Sequence, residues 1–189
     1  FTYFNMDDPV VGGLAPPQVA LRRAISLATD VQREIRLVRR GMAIPAQSPV
    51  MPHLTGYDPA FKSEMGDHDP VRAKALLDLY GFVDRDGDGW RERPDGSPLE
   101  LRMINGTSTE SRRLAEFMKR SLDAISVKVS FDSMPGGDRL KRLSTCQFQM
   151  TTMGFGGGPP DGVSAMGNFH SPSIGTVNFS CYKSDDFDR

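Results

Sequence analysis

The stretch Leu99-Glu100-Leu101-Arg102-Met103 alternates apolar and charged side chains, the two-residue period of a half-buried strand. Past the turn Asn105-Gly106-Thr107-Ser108 the period changes. Leu114, Phe117, Met118, Leu122 and Ile125 recur at three- and four-residue spacing, an apolar helix stripe that Thr107 or Ser108 can cap. Val127, Val129 and Phe131 alternate again as a strand, a short helix is expected over roughly 137–145, and a further strand over 148–155. Strand, helix, strand, helix, strand in succession predicts a parallel sheet joined by right-handed crossovers.

On the N-terminal side, Phe1-Thr2-Tyr3-Phe4-Asn5-Met6 reads as a strand already inside a fold, with no charged-then-apolar leader before it. Pro16-Pro17 precede a helix with Leu21, Ala24, Ile25 and Ala28 on one face. Asp30 is placed to cap a second helix carrying Val31, Ile35 and Val38, with Gly41 as its stop. Residues 43–69, rich in Pro, Gly, His and Asp, read as a long surface excursion. Asp69-Pro70 opens a helix with Ala73, Leu76, Leu77 and Tyr80 aligned and Gly81 at its end.

The 189 residues suit a single domain, and no apolar run approaches membrane-spanning length. A formal net charge of −1 gives no electrostatic case for nucleic acid or for an anionic membrane surface. Cys146 and Cys181 are too few to define a disulfide scaffold. A bridge between them fits an oxidising compartment, and two unpaired thiols fit the count equally well.

In open α/β sheets, ligands bind outside the carboxyl ends of the strands. That rule selects Asn105-Gly106-Thr107, Ser133-Met134-Pro135-Gly136-Gly137 and Phe155-Gly156-Gly157-Gly158-Pro159-Pro160-Asp161. All three are rich in glycine or small polar residues and able to bring backbone N–H groups close to a small solute. Asn105, Met134, Phe155, Gly156, Gly157, Gly158 and Asp161 are the candidate ligand-binding residues. The third segment lacks the glycine order and the following Lys-Ser/Thr of a phosphate cradle, and a plain turn after a strand is its alternative reading.

Asp84, Asp86, Asp88 and Gly89 match the opening of a calcium loop, with Glu92 and Asp95 at its ninth and twelfth positions. Carboxylates at alternate positions converge on a hard cation where the chain turns sharply at a glycine, so Ca2+ is the one cofactor considered. The competing reading is an Asp/Gly-rich hairpin-like turn. His53, His68 and His170 have no pairwise metal spacing, no serine lies in a GxSxG elbow, and no catalytic residue is assigned. A calcium-stabilised α/β domain or hydrolase using the Asp84–Asp95 cluster is the alternative function.

In order and spacing, four stretches resemble the bacterial family 5 solute-binding proteins. They are Val19-Ala20-Leu21-Arg22-Arg23-Ala24-Ile25-Ser26-Leu27-Ala28-Thr29-Asp30, Asp69-Pro70-Val71-Arg72-Ala73-Lys74-Ala75-Leu76-Leu77, Asp84-Arg85-Asp86-Gly87-Asp88-Gly89-Trp90-Arg91-Glu92, and Asn178 to Asp188. The resemblance implies an α/β fold, a periplasmic-binding-protein-like (type II) lobe with a central, mainly parallel sheet flanked by helices. It implies that residues 1–189 form a single lobe of a two-lobed protein, monomeric by itself, whose first lobe and C-terminal return lie elsewhere. It implies a non-enzymatic periplasmic or extracytoplasmic role in an ABC importer, in which a small solute, most plausibly a peptide, is captured between lobes and passed to the permease subunits. Peptide-binding relatives place an Asp where this sequence has Gly158, and dipeptide-binding relatives an Arg where it has Asn105. Both charged anchors are thus replaced here, and Asp161 is the candidate substitute for the first.

Overall fold

The computed structural model describes residues 1–154 and 161–189. Strand β1 (Thr2–Phe4) is followed by helices α1 (Pro16–Ala28), α2 (Val31–Leu37) and α3 (Pro70–Leu79). The crossover unit comprises β2 (Glu100–Asn105), α4 (Thr109–Asp123), β3 (Lys128–Ser133), α5 (Gly136–Ser144) and β4 (Met150–Thr152). The expected third strand of that unit is shorter than its apolar pattern: Phe148 is buried ahead of it, against the sheet's second face. Short helices α6 (Val163–Met166) and α7 (Asp185–Asp188) lie in the C-terminal segment.

The caps explain where the helices start. The Asp30 carboxylate accepts a hydrogen bond from the Arg33 N–H, Asp69 accepts from Arg72 N–H ahead of Pro70, and Ser108, of the two possible caps, accepts from Ser111 N–H. After α2 the Gly41 N–H returns to the Ile35 carbonyl with Gly41 at φ 77°, a left-handed turn that glycine makes without a Cβ clash. Residues 43–69 contain no helix and no named strand, and Gln47 holds them together by accepting from the Ser63 N–H.

The sheet has the order β1-β4-β2-β3, with β3, β2 and β4 parallel and β1 antiparallel at the edge. The crossovers set the three parallel strands; β1 lies outside them, and its direction is free of that constraint. Leu101, Met103, Val129 and Met150 face α1, α3 and α4, where Leu21, Ile25, Leu77, Met118 and Leu122 complete the larger core. Ile104 faces the other way, into a smaller cluster with Tyr3, Met134, Leu143 of α5, Phe148 and Cys181. The chain therefore leaves β2 for β3 over one face and returns under the other to β4. This puts a reversal of winding beside β2, where an open α/β sheet forms its ligand crevice.

Cys146 and Cys181 form a disulfide with their Cα atoms 6.2 Å apart, deciding the question the cysteine count left open. It ties the C-terminal segment to the turn after α5. Asn5 supports that turn, its side-chain amide donating to the carbonyls of Cys146 (2.8 Å) and Phe148 (2.7 Å). Asn178, fully buried, organises the C-terminal segment itself by donating to the carbonyls of His170 and Tyr182 and accepting from the Ser180 hydroxyl. Unpaired, such a buried amide would cost about 1–3 kcal/mol.

Candidate functional site

At the carboxyl end of β2, Asn105 is buried and its carboxamide oxygen accepts from the Ser133 hydroxyl at 2.8 Å. Its carbonyl accepts from the Met134 N–H at 3.0 Å, so the ends of β2 and β3 are locked together. Gly106 follows. A Cβ there would stand 2.9 Å from Ser111 Oγ and 3.9 Å from Arg139 Nη1. Glycine allows this close approach between the turn and the first turn of α4, with the Arg139 guanidinium of α5 alongside.

The candidate residues part company here. Met134 does not face the strand ends; it is buried with Tyr3, Ile104, Leu143 and Phe148, because alternation along the chain turns it inward once Ser133 points out. Asp161 is exposed, its carboxylate accepts from the Val163 N–H at 2.9 Å, and its backbone forms an isolated bridge with Thr55. Phe155, Gly156, Gly157 and Gly158 lie outside the described residues. Arg139 was not among the candidates. Its signal was helix phase: three residues past Gly136, it projects from the first turn of α5 toward Gly106.

A cavity of about 670 Å³ runs along the α-helical face of β1, within the size range of small-molecule sites. Phe4, Ile35, Phe117, Phe169 and Tyr182 supply apolar wall, and Arg22, Glu34 and Arg39 the charges. Arg22 donates to the Val11 carbonyl, and burial lowers its pKa. Arg39 pairs with Glu34 at 3.3 Å and with Glu110. None of Asn105, Met134 or Asp161 lines this cavity, which borders the strand ends at Thr152. It is built by segments far apart in sequence and had no local signature.

The acidic loop is assembled as its spacing predicts, except at the last position. Single carboxylate oxygens of Asp84, Asp86, Asp88 and Glu92 lie within 4.8 Å of one another. Asp84 accepts from the N–H groups of Gly87 and Gly89, Asp86 from Asp88, Asp88 from Trp90, and Glu92 from Arg85. Asp95 stands apart: its carboxylate accepts from the N–H and hydroxyl of Ser97, which hold its pKa below the ordinary value. The loop ends early because Arg93 to Ser97 closes as a separate turn, with the Arg93 N–H donating to Ser97 O. Trp90 lies under the Lys119 ammonium, 5.9 Å from its ring centroid.

A family model described as bacterial extracellular solute-binding proteins, family 5 Middle, matches residues 1–176. Di/tripeptide-binding protein 2 of Pseudomonas aeruginosa is 30% identical over 162 residues, covering 84% of this chain and 27% of that protein. Heme-binding protein A of Haemophilus influenzae is 26% identical over 180 residues, covering 90% of this chain and 29% of that protein. Among solved structures, the oligopeptide-binding protein AppA of Bacillus subtilis with a nonapeptide superposes with a TM-score of 0.82 at 19% identity, over 99% of this chain and 36% of that one. NikA of Brucella suis with Fe(III)-EDTA gives 0.76 at 22% identity, over 95% and 35%. The chain thus spans about a third or less of the proteins it matches.

Proposed function

The chain belongs to family 5 of the bacterial extracellular solute-binding proteins, and on that premise we propose that it forms one wall of a cleft that captures a peptide-like solute for an ABC importer. The observation that carries this reading is the family match over residues 1–176. The topology supports it, since the carboxyl end of β2 at Asn105 and Gly106 stands where an open α/β sheet places its ligand. In this reading the chain is one lobe of a two-lobed protein, closure about a hinge encloses the solute, and permease subunits recognise the closed form. A small solute of peptide class is favoured by the di/tripeptide- and oligopeptide-binding relatives. An extracytoplasmic setting agrees with the Cys146–Cys181 disulfide, which needs an oxidising compartment to persist. Among the described residues, no helix is long and apolar enough to cross a membrane.

Isothermal titration of the polypeptide carrying these residues with di-, tri- and oligopeptide pools tests the reading. Binding in the micromolar range or tighter is expected; silence toward peptides, haem and metal chelates alike would sink it. One wall by itself binds more weakly, since the opposite wall supplies the enclosing surface.

The acidic loop is proposed as a structural Ca2+ site, held by Asp84, Asp86, Asp88 and Glu92, whose oxygens converge within 4.8 Å. Its role would be to brace the turn between α3 and β2, away from the strand ends. Millimolar calcium should raise the melting temperature of the protein and leave an Asp86→Asn, Asp88→Asn variant unmoved. A melting temperature indifferent to both calcium and EDTA removes the site.

A further inference from the structure

We propose that the groove between α2 and α4 is a docking surface for an acidic amphipathic helix of a partner protein. The partner's carboxylates meet Arg33, Arg113 and Arg120, and its apolar side chains enter between them. None of Asn105, Met134 or Asp161 lines this groove, so it stands or falls apart from solute capture.

Helix periodicity builds the groove. Arg113, Glu116, Phe117, Arg120 and Ala124 recur at three- and four-residue spacing along one face of α4 and its C-cap, about 16 Å of helix. Opposite them α2 and its C-cap contribute Arg33, Leu37 and Val38, and the start of α3 adds His68 and Pro70. The space between is about 260 Å³, below the usual size of a small-molecule site. Ala28 and Phe117 are buried at its base, whereas Leu37 is 59% exposed at its rim. An apolar floor reached from solvent between two helices suits the apolar side chains that a third helix presents at i and i+4.

Charge sets the character of the partner. Arg33, Arg113 and Arg120 are exposed and make no side-chain hydrogen bond or ion pair among the described residues. The acids nearby are mostly committed: Glu34 and Glu110 to Arg39, and Asp123 to Lys119 at 2.8 Å. Inside the groove the Asp30 carboxylate accepts from the Arg33 N–H at 2.9 Å and stands 3.9 Å from His68 Nδ1. Glu116 lies between Arg113 and Arg120 on the helix face and pairs with neither. Arg36 and Arg112, exposed on the same two helices, add to the positive sign. With a net charge of −1 on the whole chain, this face is a local concentration of cations, and it complements an acidic segment. An anionic headgroup layer would meet the same arginines but leave the recessed floor at Phe117 unfilled, which favours a protein partner.

Fluorescence anisotropy at physiological salt tests the proposal with a short acetylated, amidated helical peptide carrying Leu at i and i+4 flanked by Glu. Its Lys-for-Glu and Ser-for-Leu counterparts serve as controls. The Glu/Leu peptide should bind wild type and Lys141→Gln alike, since Lys141 lies on α5 at the other face of the sheet. The double substitution Arg113→Gln, Arg120→Gln should weaken it about threefold to thirtyfold at unchanged melting temperature, and Arg113→Lys, Arg120→Lys should retain most of the affinity. Backbone amide resonances of α2 and α4 should shift on titration. Failure of the Glu/Leu peptide to bind overturns the proposal. So does affinity unchanged by the Gln substitutions, equal binding of the Lys or Ser counterpart, or shifts confined to other elements. Sedimentation with phosphatidylglycerol vesicles, abolished by the Gln substitutions while the peptide stays unbound, would assign the face to a membrane and overturn it as well.

Discussion

Replacing both Cys146 and Cys181 by alanine should cost this fold a large share of its stability, and the loss should begin at one end. The bridged residues are 35 apart in sequence, and the chain-entropy relation for a loop of that length gives about 4 kcal/mol at 25 °C. Against the 5–15 kcal/mol typical of a domain, that is about a quarter or more of the total. The other ties between the C-terminal segment and the sheet are weaker. The Met6 N–H donates to Ser180 O at 2.8 Å, and Lys183 pairs with Asp7 at 2.9 Å across exposed surface, a contact of about 1 kcal/mol or less. Cys181 is almost fully buried, so truncating it also loosens the cluster of Tyr3, Met134, Leu143 and Phe148. Urea unfolding of wild type and double variant measures the total. Hydrogen exchange locates it, with protection expected to fall first in residues 171–189 and to persist in β2 and α4. A loss under about 1 kcal/mol, or exchange rising equally in α4, would refute the reasoning.

Two other outcomes follow from single side chains. Arg91→Met should destabilise by about 2–5 kcal/mol in urea unfolding, because it strands the carbonyls of Ile125 and Phe82 in the interior; Asp78→Asn, at the half-exposed end of the same side chain, should cost about 1 kcal/mol or less. Asp188 is held below its ordinary pKa of 3.8 by hydrogen bonds from Ser171, with His170 adding to the effect. Because its folded value is depressed, the stability it contributes is present above that ordinary value and is lost as the pH falls through the folded one. Protection factors in residues 171–189, corrected for the intrinsic exchange rate, should fall on acidification through that window, and Asp188→Asn should flatten that dependence.

Much of this was legible in the chain. The alternation at Leu101 and Met103, the stripe from Leu114 to Ile125 and the return to alternation at Val127 identify the crossover unit, because burial on one face imposes a period on local sequence. Asp30 and Asp69 announce their helices because a cap acts on backbone N–H groups three residues away. The acidic loop was legible for the same reason, since Asp84, Asp86, Asp88 and Glu92 converge within one turn. Asp95 was misplaced only because a second turn, tied by Ser97, starts before the twelfth position is reached.

The candidate edge was half legible. Topology alone selected Asn105, but Met134 is core, a matter of which way one residue faces after the last of β3. Arg139 showed only its helix phase, since its guanidinium reaches Gly106 from an element 33 positions on, and the cavity along β1, which joins β1, α2, α4 and Tyr182, left no local trace. The disulfide was undetermined for the same reason: a count of two cysteines carries no distance.

By itself, then, the sequence determined the fold class and the order of elements, because each follows from periods and turns that act over a few residues. Tertiary structure alone decided that Cys146 meets Cys181, that Met134 is core, and that Arg139 stands beside Gly106. Those facts depend on how α5 and the C-terminal segment pack on the second face of the sheet, and packing across a sheet joins residues that no local pattern relates.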